Sequence, residues 1–494
     1  VALKEVQFRD FSGGVNTRDA ASELSENEFP YSMNVTLDER GYLMKRLGYE
    51  NRFVSALGTG KVSNLFYWAT QNKLVSQIGA SLHVDNAAAF KTFTTSDRCG
   101  MVEFLGNLFI THPVDGSFTY DGTTVSAVAS GPKGDTAAVW QNKIWVNDVI
   151  NPARLWRSDA GAVNFGVTAW TDLREKDSGK LVLLTGASGL DIAGRPGLLA
   201  FKEDSAYRIN DPSTGAFTTI DASIGAGSNI SGVNAYGRTY VINNRGIYST
   251  DGLNPMREES RLIENLFQNT QIDQTKNSLM AAGRYQDRLF FSLPRTGSSV
   301  NNLALELNPQ EGWIVPHSNA ASAYASFGRN ITYMVMGSPS VDGRIYNSHR
   351  GGSDAGSPIA SEFQTRWMEP NDGRAARLRK ARFVGLGELD AYARKDYQDE
   401  SVLNPMHVNI QEAGPVYDDD ASVYDTDDDY VSPSFQSYQD FYSIGVCRSV
   451  SVRLVESSSI AQVGPTVLGG TAAQERGAWT MAYISFLTID LGST

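Results

Sequence analysis

The chain is poor in the residues that carry most metal and nucleophilic chemistry. It has two cysteines and five histidines in 494 residues. Cys99 and Cys447 stand far apart, and no CxxC pair occurs, so no disulfide framework is implied. They read as two buried thiols of a protein made in a reducing cytosol. His83, His112, His317, His349 and His407 form no HExxH and no compact ligand set, which argues against a zinc site. No GxSxG elbow is present. No run of about eighteen apolar residues occurs, so no bilayer span is expected. The opening residues Val1 to Val6 carry no long apolar stretch, and no signal peptide is expected. Positive charge is also in short supply: 43 Lys and Arg face 55 Asp and Glu, a net charge of -12. A protein that grips duplex DNA through its phosphates is normally basic. Ordinary DNA binding is therefore disfavoured, whereas a negative wall would let DNA pass without sticking.

What is present points to an all-β protein. Apolar residues make up 41% and aromatics 10%, enough for a sizeable core. The 46 glycines imply many turns and short strands. From about residue 60 to 350 one pattern recurs: an apolar strand, a tight turn of Asn, Asp or Gly, then an apolar, often aromatic strand. It runs Tyr67 to Val75, Val102 to Thr111, Ala138 to Val146, Val233 to Ile242, Gly283 to Leu293 and Ala325 to Met336, with a weaker case around Lys202-Glu203-Asp204. A further short strand tends to follow, as at Ser81 to Val84 and Gly343 to Tyr346. Several strands every 40 to 50 residues mark the blades of a β-propeller, since a single four-stranded blade cannot bury both of its faces alone. Six or seven blades are expected over residues 56–357. A generic β-sandwich pile is the competing reading. Trp68, Trp140, Trp145, Trp156 and Trp313 read as blade core rather than a sugar-binding stripe. Residues 258 to 280 interrupt the pattern, and Glu258 to Phe267, with apolar residues at 262, 263, 266 and 267, has helical spacing that predicts a short helix between blades.

The two ends differ from this middle. Residues 1–55 read as an N-terminal arm and hairpin. The arm is turn-rich and carries Phe11, Gly13, Gly14, Asn16 and Arg18. A helical turn is expected over Glu23 to Phe29, and a hairpin over Asn34 to Arg46. Residues 358–494 read as a second, sandwich-like β domain, with strands over Ser361 to Trp367, Lys380 to Leu386, His407 to Ile410, Val446 to Val455 and Trp479 to Leu491.

Two charge runs stand out in that domain. An acidic loop, 415–433, holds Asp418, Asp419, Asp420, Asp425, Asp427, Asp428 and Asp429. Its readings are a solvated loop, a wall facing a DNA channel, or a calcium loop, although the EF-hand pattern of glycine and glutamate fails. A basic strand holds Arg374, Arg377, Arg379, Lys380 and Arg382. It reads as a subunit or partner contact, with a solvated face or a DNA phosphate contact as alternatives. Two glycine-rich segments carry little signal. Gly58-Thr59-Gly60-Lys61 lacks the spacing of a phosphate loop, and Gly225 to Gly232 lies between β segments rather than strand and helix. Paired carboxylates at a propeller centre could support glycoside cleavage, but Ser249-Thr250-Asp251-Gly252 lacks the register of a sialidase box. No catalytic, metal or cofactor residue is assigned, and the expectation is a protein that is not an enzyme and holds no cofactor.

The N-terminal residues carry a resemblance. Phe11-Ser12-Gly13-Gly14-Val15-Asn16-Thr17-Arg18, then Leu24 and Glu28, Asn34-Val35, and Gly41-Tyr42-Leu43 with Lys45-Arg46-Leu47-Gly48-Tyr49 are similar to the opening of short-tailed bacteriophage tail hub and nozzle proteins, the tail tubular protein B-like family. The segments Arg288 to Pro294, Ala304 to Pro309, Gly312-Trp313 and Ser485 to Leu491 resemble later parts of that family. The chain is too short for the fibre-docking and tip domains of the larger nozzles. The resemblance implies a structural virion protein, made in the host cytoplasm and built into the tail. It implies a homo-oligomeric ring, of six copies, that continues the DNA channel below portal and adaptor and docks tail fibres or spikes during ejection. A cyclic ring needs two complementary patches per subunit, and the basic strand and acidic loop are the candidates. The rival is a carbohydrate-binding or glycoside-cleaving propeller of a virion or cell surface.

Overall fold

The computed structural model describes residues 3–173, 179–190, 196–268, 271–328, 331–370, 374–397, 405–410, 438–456 and 480–490. The chain divides into two compact units. One is Tyr49–Arg350, and the other joins Val1–Gly48 to Gly351–Thr494.

The unit Tyr49–Arg350 is a β-propeller of seven four-stranded antiparallel blades. The first blade runs outward through Val62–Trp68, Lys73–Ile78, Ser81–Val84 and Lys91–Thr92. The later blades begin at Gly100, Ala137, Leu181, Gly232, Ala281 and Tyr324. The expected hairpins are the two innermost strands of six blades. The seventh expected case, Lys202-Glu203-Asp204, lies one strand further out, because the blade starts with Leu181–Leu190. The hairpin turns follow from backbone handedness. Leu105-Gly106, Gln141-Asn142 and Tyr236-Gly237 each have positive φ at both residues, the two-residue loop whose twist matches that of the strands.

Apolar side chains fill the spaces between blades. Trp68, Val75 and Leu82 of the first blade pack with Met101, Leu108 and Ile110 of the second. Val62, Leu65 and Leu74 pack with Ala323, Ala325 and Val335, which joins the last blade to the first. Trp68, Trp145 and Trp313 are fully buried, the blade-core role expected of them.

The last blade takes its fourth strand from the front of the chain. Tyr49–Asn51 pairs with Ile345–Ser348, Tyr346 opposite Asn51 and Ser348 opposite Tyr49. The propeller therefore begins at residue 49 rather than 56 and ends at 350 rather than 357. The short helix expected between blades is present, as Glu264–Gln268 after a 3-10 turn.

The other unit corrects the expectation of a separate arm. Leu3–Phe8 pairs along the last strand, Thr480–Asp490. Tyr31–Met33 pairs with Glu362–Gln364. The hairpin Val35–Leu37 with Leu43–Lys45 joins the same last strand. The front of the chain is thus held in sheet with its end, because each strand supplies the main-chain partners that the other lacks. The expected helical turn at Glu23 to Phe29 is instead a series of turns leading to the short strand Glu28–Phe29. The spine of the unit is one 20-residue strand, Ala376–Lys395. Its first half lies between Tyr438–Cys447 and Thr480–Asp490, and its second half between Met406–Ile410 and Val450–Glu456. A strand shared in this way is how two sheets turn a corner.

Candidate functional site

Three groups of residues merit a functional reading, and each is described within its own unit.

The first is the N-terminal segment, which is a folded knot. Phe11 is buried and packs edge-on against Phe363 at 5.3 Å. Gly14-Val15 pairs in parallel with Glu28-Phe29. Gly14 has φ +73°, a conformation that glycine alone adopts freely. A Cβ on Gly13 would stand 2.8 Å from the Asn27 carbonyl oxygen. Asn16 is buried, donates to Asp19 and Glu28 at 2.9 Å each, and accepts from the Arg18 and Asp19 amides. Arg18 is exposed. Further on, the buried Arg46 donates to Asn34 Oδ1 at 2.8 Å and grips both oxygens of Asp354 at 2.8 and 2.5 Å. The motif residues Asn16 and Glu28, and Asn34 and Arg46, are therefore bonded pairs. Sequence reading picked out these residues but missed that they hold one another.

The second is the basic strand. Leu378 and Ala381 are both buried although three residues apart, which a regular strand forbids. The register explains it: pairing with both neighbours shifts between Leu378 and Lys380, so Arg379 sits in a bulge. Arg377, Lys380 and Arg382 consequently share the outer face. Lys380 and Arg382 both bind Asp440, at 2.6 and 2.8 Å. The hydrogen bonds from Arg382 and Lys380 hold the Asp440 carboxyl below its ordinary range, against the effect of burial. Two of the five basic residues thus have a partner inside the same sheet, while Arg374, Arg377 and Arg379 are exposed. Beside them runs Tyr438–Cys447, which among the described strands lies at the sheet edge. It exposes Tyr438, Tyr442 and Val446 at 54, 71 and 51%. The acidic loop residues Asp418, Asp419, Asp420, Asp425, Asp427, Asp428 and Asp429 lie outside the described residues.

The third is a cavity of about 1190 Å³ within the propeller unit. Most of its lining comes from residues just ahead of the innermost strand of a blade: Lys61, Arg98, Asp135, Lys180, Asn229 and Ser278. The propeller repeat places that position at one end of the central axis in every blade, so polar and charged residues far apart in the chain converge. Sequence reading missed this set; the signal was a polar residue recurring at one register of the repeat.

The polarity of the cavity is divided. Lys61 and Arg98 belong to the first two blades, with Asp97 next to Arg98 in the chain; Asp135, Asp148 and Glu203 belong to the next two, with Lys180 among them. Arg98 donates to Ser63 O at 2.7 Å, Asn229 Oδ1 at 3.1 Å and Ser278 O at 3.0 Å. Burial pushes the Arg98 guanidinium down to about 10, and burial together with the Arg98 charge pushes the Lys61 ammonium down to about 8. Asn229 links Arg98 to the Asp135 main-chain oxygen, and burial raises the Asp135 carboxyl, which accepts from Asn147 at 2.6 Å, against the charges of Lys180 and Arg98. Burial also opposes charge on Asp148, but hydrogen bonds from Asn151 and Trp156 outweigh it and hold that carboxyl low. Cys99, nearby in sequence, is a free buried thiol pushed up to about 12 by burial and so unreactive. Among the described residues no cluster of three or more His, Cys, Asp or Glu could hold a metal ion, and no helix is long and apolar enough to cross a membrane.

No protein-family model matches the chain, and no curated protein matches it in sequence. Solved structures resemble it in fold. BBS1N in its complex with ARL6DN is 10% identical, with a TM-score of 0.39, over 61% of this chain and 96% of that one. PorZ of the type-IX secretion system of Porphyromonas gingivalis is 12% identical, with a TM-score of 0.38, over 63% of this chain and 37% of that one. The computationally designed Ika8 protein is 9% identical, with a TM-score of 0.37, over 69% of this chain and the whole of that one.

Proposed function

We propose that the chain is a structural, non-enzymatic protein of a short-tailed phage tail, a hub or nozzle subunit that assembles into a ring. The ring would extend the DNA channel below portal and adaptor and dock fibres or spikes. The observation that carries the proposal is the edge strand Tyr438–Cys447. Three large apolar side chains stand exposed on it, next to the exposed Arg377. Exposed apolar side chains interleaved with charge along a sheet edge offer a second chain both main-chain and side-chain partners. The hub-like N-terminal residues support the same reading, because they form a built structural knot rather than a loose leader. The net charge of -12 suits a lumen along which DNA slides.

The test is the mass of the purified full chain, alone and mixed with the portal and adaptor proteins of the same virion. Discrete rings that Tyr442→Asp or Val446→Asp dissolves are expected. A monomer that ignores both partners at all concentrations would sink the proposal.

A second reading, a carbohydrate-binding or glycoside-cleaving propeller, is favoured by the charged cavity. Cleavage needs one carboxyl free to give a proton and a second free to attack or activate water. Asp97, Asp135 and Asp148 are each engaged by threonine, asparagine or tryptophan side chains, which leaves Glu203 without a second free carboxyl among the described lining residues. Binding is the form of this reading that the geometry supports.

A further inference from the structure

The two glycine-rich segments that carried little signal in the sequence meet at the propeller cavity. Gly60, Lys61 and Ser63 line it from one side, and Gly227, Ser228 and Asn229 from another. Arg98 ties them together, donating to Ser63 O and to Asn229 Oδ1. Every acceptor of Arg98 is a neutral oxygen, and among the described residues its Nη2 donates no hydrogen bond. The Lys61 side chain has no ion-pair or hydrogen-bond partner among the described residues either. Two cations that act on one another therefore face one cavity; Asp135 acts on Arg98, but among the described residues no carboxylate is in ion-pair contact with either. Bringing two like charges together in a half-buried site is unfavourable. A fold keeps such a pair most readily when an anion sits between them.

We propose that Lys61 and Arg98 form the anion-binding end of a small-ligand site whose occupant is a sugar acid, a hydroxylated ring carrying one carboxylate. The carboxylates set the class. Asp135, Asp148 and Glu203 outnumber Lys180 among them, accept hydrogen bonds and repel further negative charge, so the ligand presents hydroxyl donors there and only one anionic group. A polyanion such as DNA is turned away by the same carboxylates. Among the described residues none of the lining side chains is aromatic, so none of them offers a stacking platform for a neutral sugar. Recognition rests on the carboxylate. The site deepens the binding form of the second reading above, and it is independent of ring assembly.

The experiment is calorimetric titration of the full chain with glucuronate, glucose, acetate and inorganic phosphate. Saturable binding of glucuronate is expected, with glucose and acetate at least about ten-fold weaker, since a hydrogen bond to a charged group contributes that much. Lys61→Gln and Arg98→Gln should each weaken glucuronate about ten-fold. The Lys61 side chain makes no bond to the described residues, so Lys61→Gln should keep the melting temperature of the parent and remains decisive even if Arg98→Gln folds poorly. Glucose binding as well as glucuronate, phosphate binding more tightly than glucuronate, or Lys61→Gln binding like the parent would each overturn the proposal. These results leave the oligomer mass untouched, so failure here is distinguishable from failure of the ring.

Discussion

Glu306 shows how one residue fixes a blade. It is buried on the third strand of the sixth blade, with Arg288 of the second strand at 2.5 Å and His317 of the fourth at 2.6 Å. Arg288 also lies over the Trp313 ring at 4.7 Å. Burial opposes the charge of Glu306 most strongly, yet the His317 hydrogen bond and the Arg288 charge outweigh it and hold the carboxyl well below the ordinary range. Glu306→Gln removes the negative charge and leaves Arg288 beside a neutral group, so we expect a loss of about 3 kcal/mol, read from the denaturant midpoint. The pH dependence follows from the direction of the shift. A depressed carboxyl contributes stability that is complete above its unfolded value of 4.5 and is lost as pH falls towards the lower folded value. The gap between parent and Glu306→Gln should therefore be widest at neutral pH and shrink below about pH 4.5. A gap independent of pH would contradict this account. Arg46 makes a second case, because its fork meets both oxygens of Asp354. Arg46→Lys keeps the charge but not the fork, and a loss of about 2 kcal/mol is expected in thermal unfolding.

At the scale of the element, the strand Tyr49–Asn51 seals the propeller. The Arg52 amide donates to Ile345 O at 2.9 Å. In an antiparallel ladder hydrogen-bonded pairs alternate, so Glu50 and Asn347 form the next one. Glu50→Pro deletes that donor, costing about 1 kcal/mol and several degrees of melting temperature. The neighbouring Tyr49→Phe, which keeps the main chain, serves as the control. How far such elements were legible in the sequence depends on their range. Hairpins were legible because turn and strands are adjacent: Gln141-Asn142 between Trp140 and Lys143 has no other sensible reading. The sealing strand was not, since Tyr49-Glu50-Asn51 is short, largely exposed and defined only by a partner at the other end of the unit. The bulge at Arg379 was not legible, as the register shift that turns both Leu378 and Ala381 inward leaves no mark in composition. The cavity was illegible for the same reason as the sealing strand: Lys61, Arg98 and Asn229 become neighbours only once the blades close into a circle.

At the scale of the whole molecule, the order of units along the chain has a consequence. The propeller is an insertion: the chain leaves one unit at Gly48, completes seven blades, and re-enters that unit at Gly351. An inserted domain that carries its own core and its own closure should fold when excised. Residues 49–350 contain both, because the apolar layer between last and first blade and the sealing strand lie inside these limits. We expect the 49–350 fragment to be a monomer with the circular dichroism of a β protein and one cooperative thermal transition. A fragment of 56–350 lacks the sealing strand, and the last blade is left with Ile345–Ser348 as an open edge. Open edges invite pairing between molecules, so this fragment should melt at a lower temperature and form soluble aggregates on size exclusion. Seven residues separate the two fragments, which makes the comparison a direct measure of what the sealing strand contributes. Equal melting temperatures and equal elution would mean that the apolar layer alone holds the circle shut.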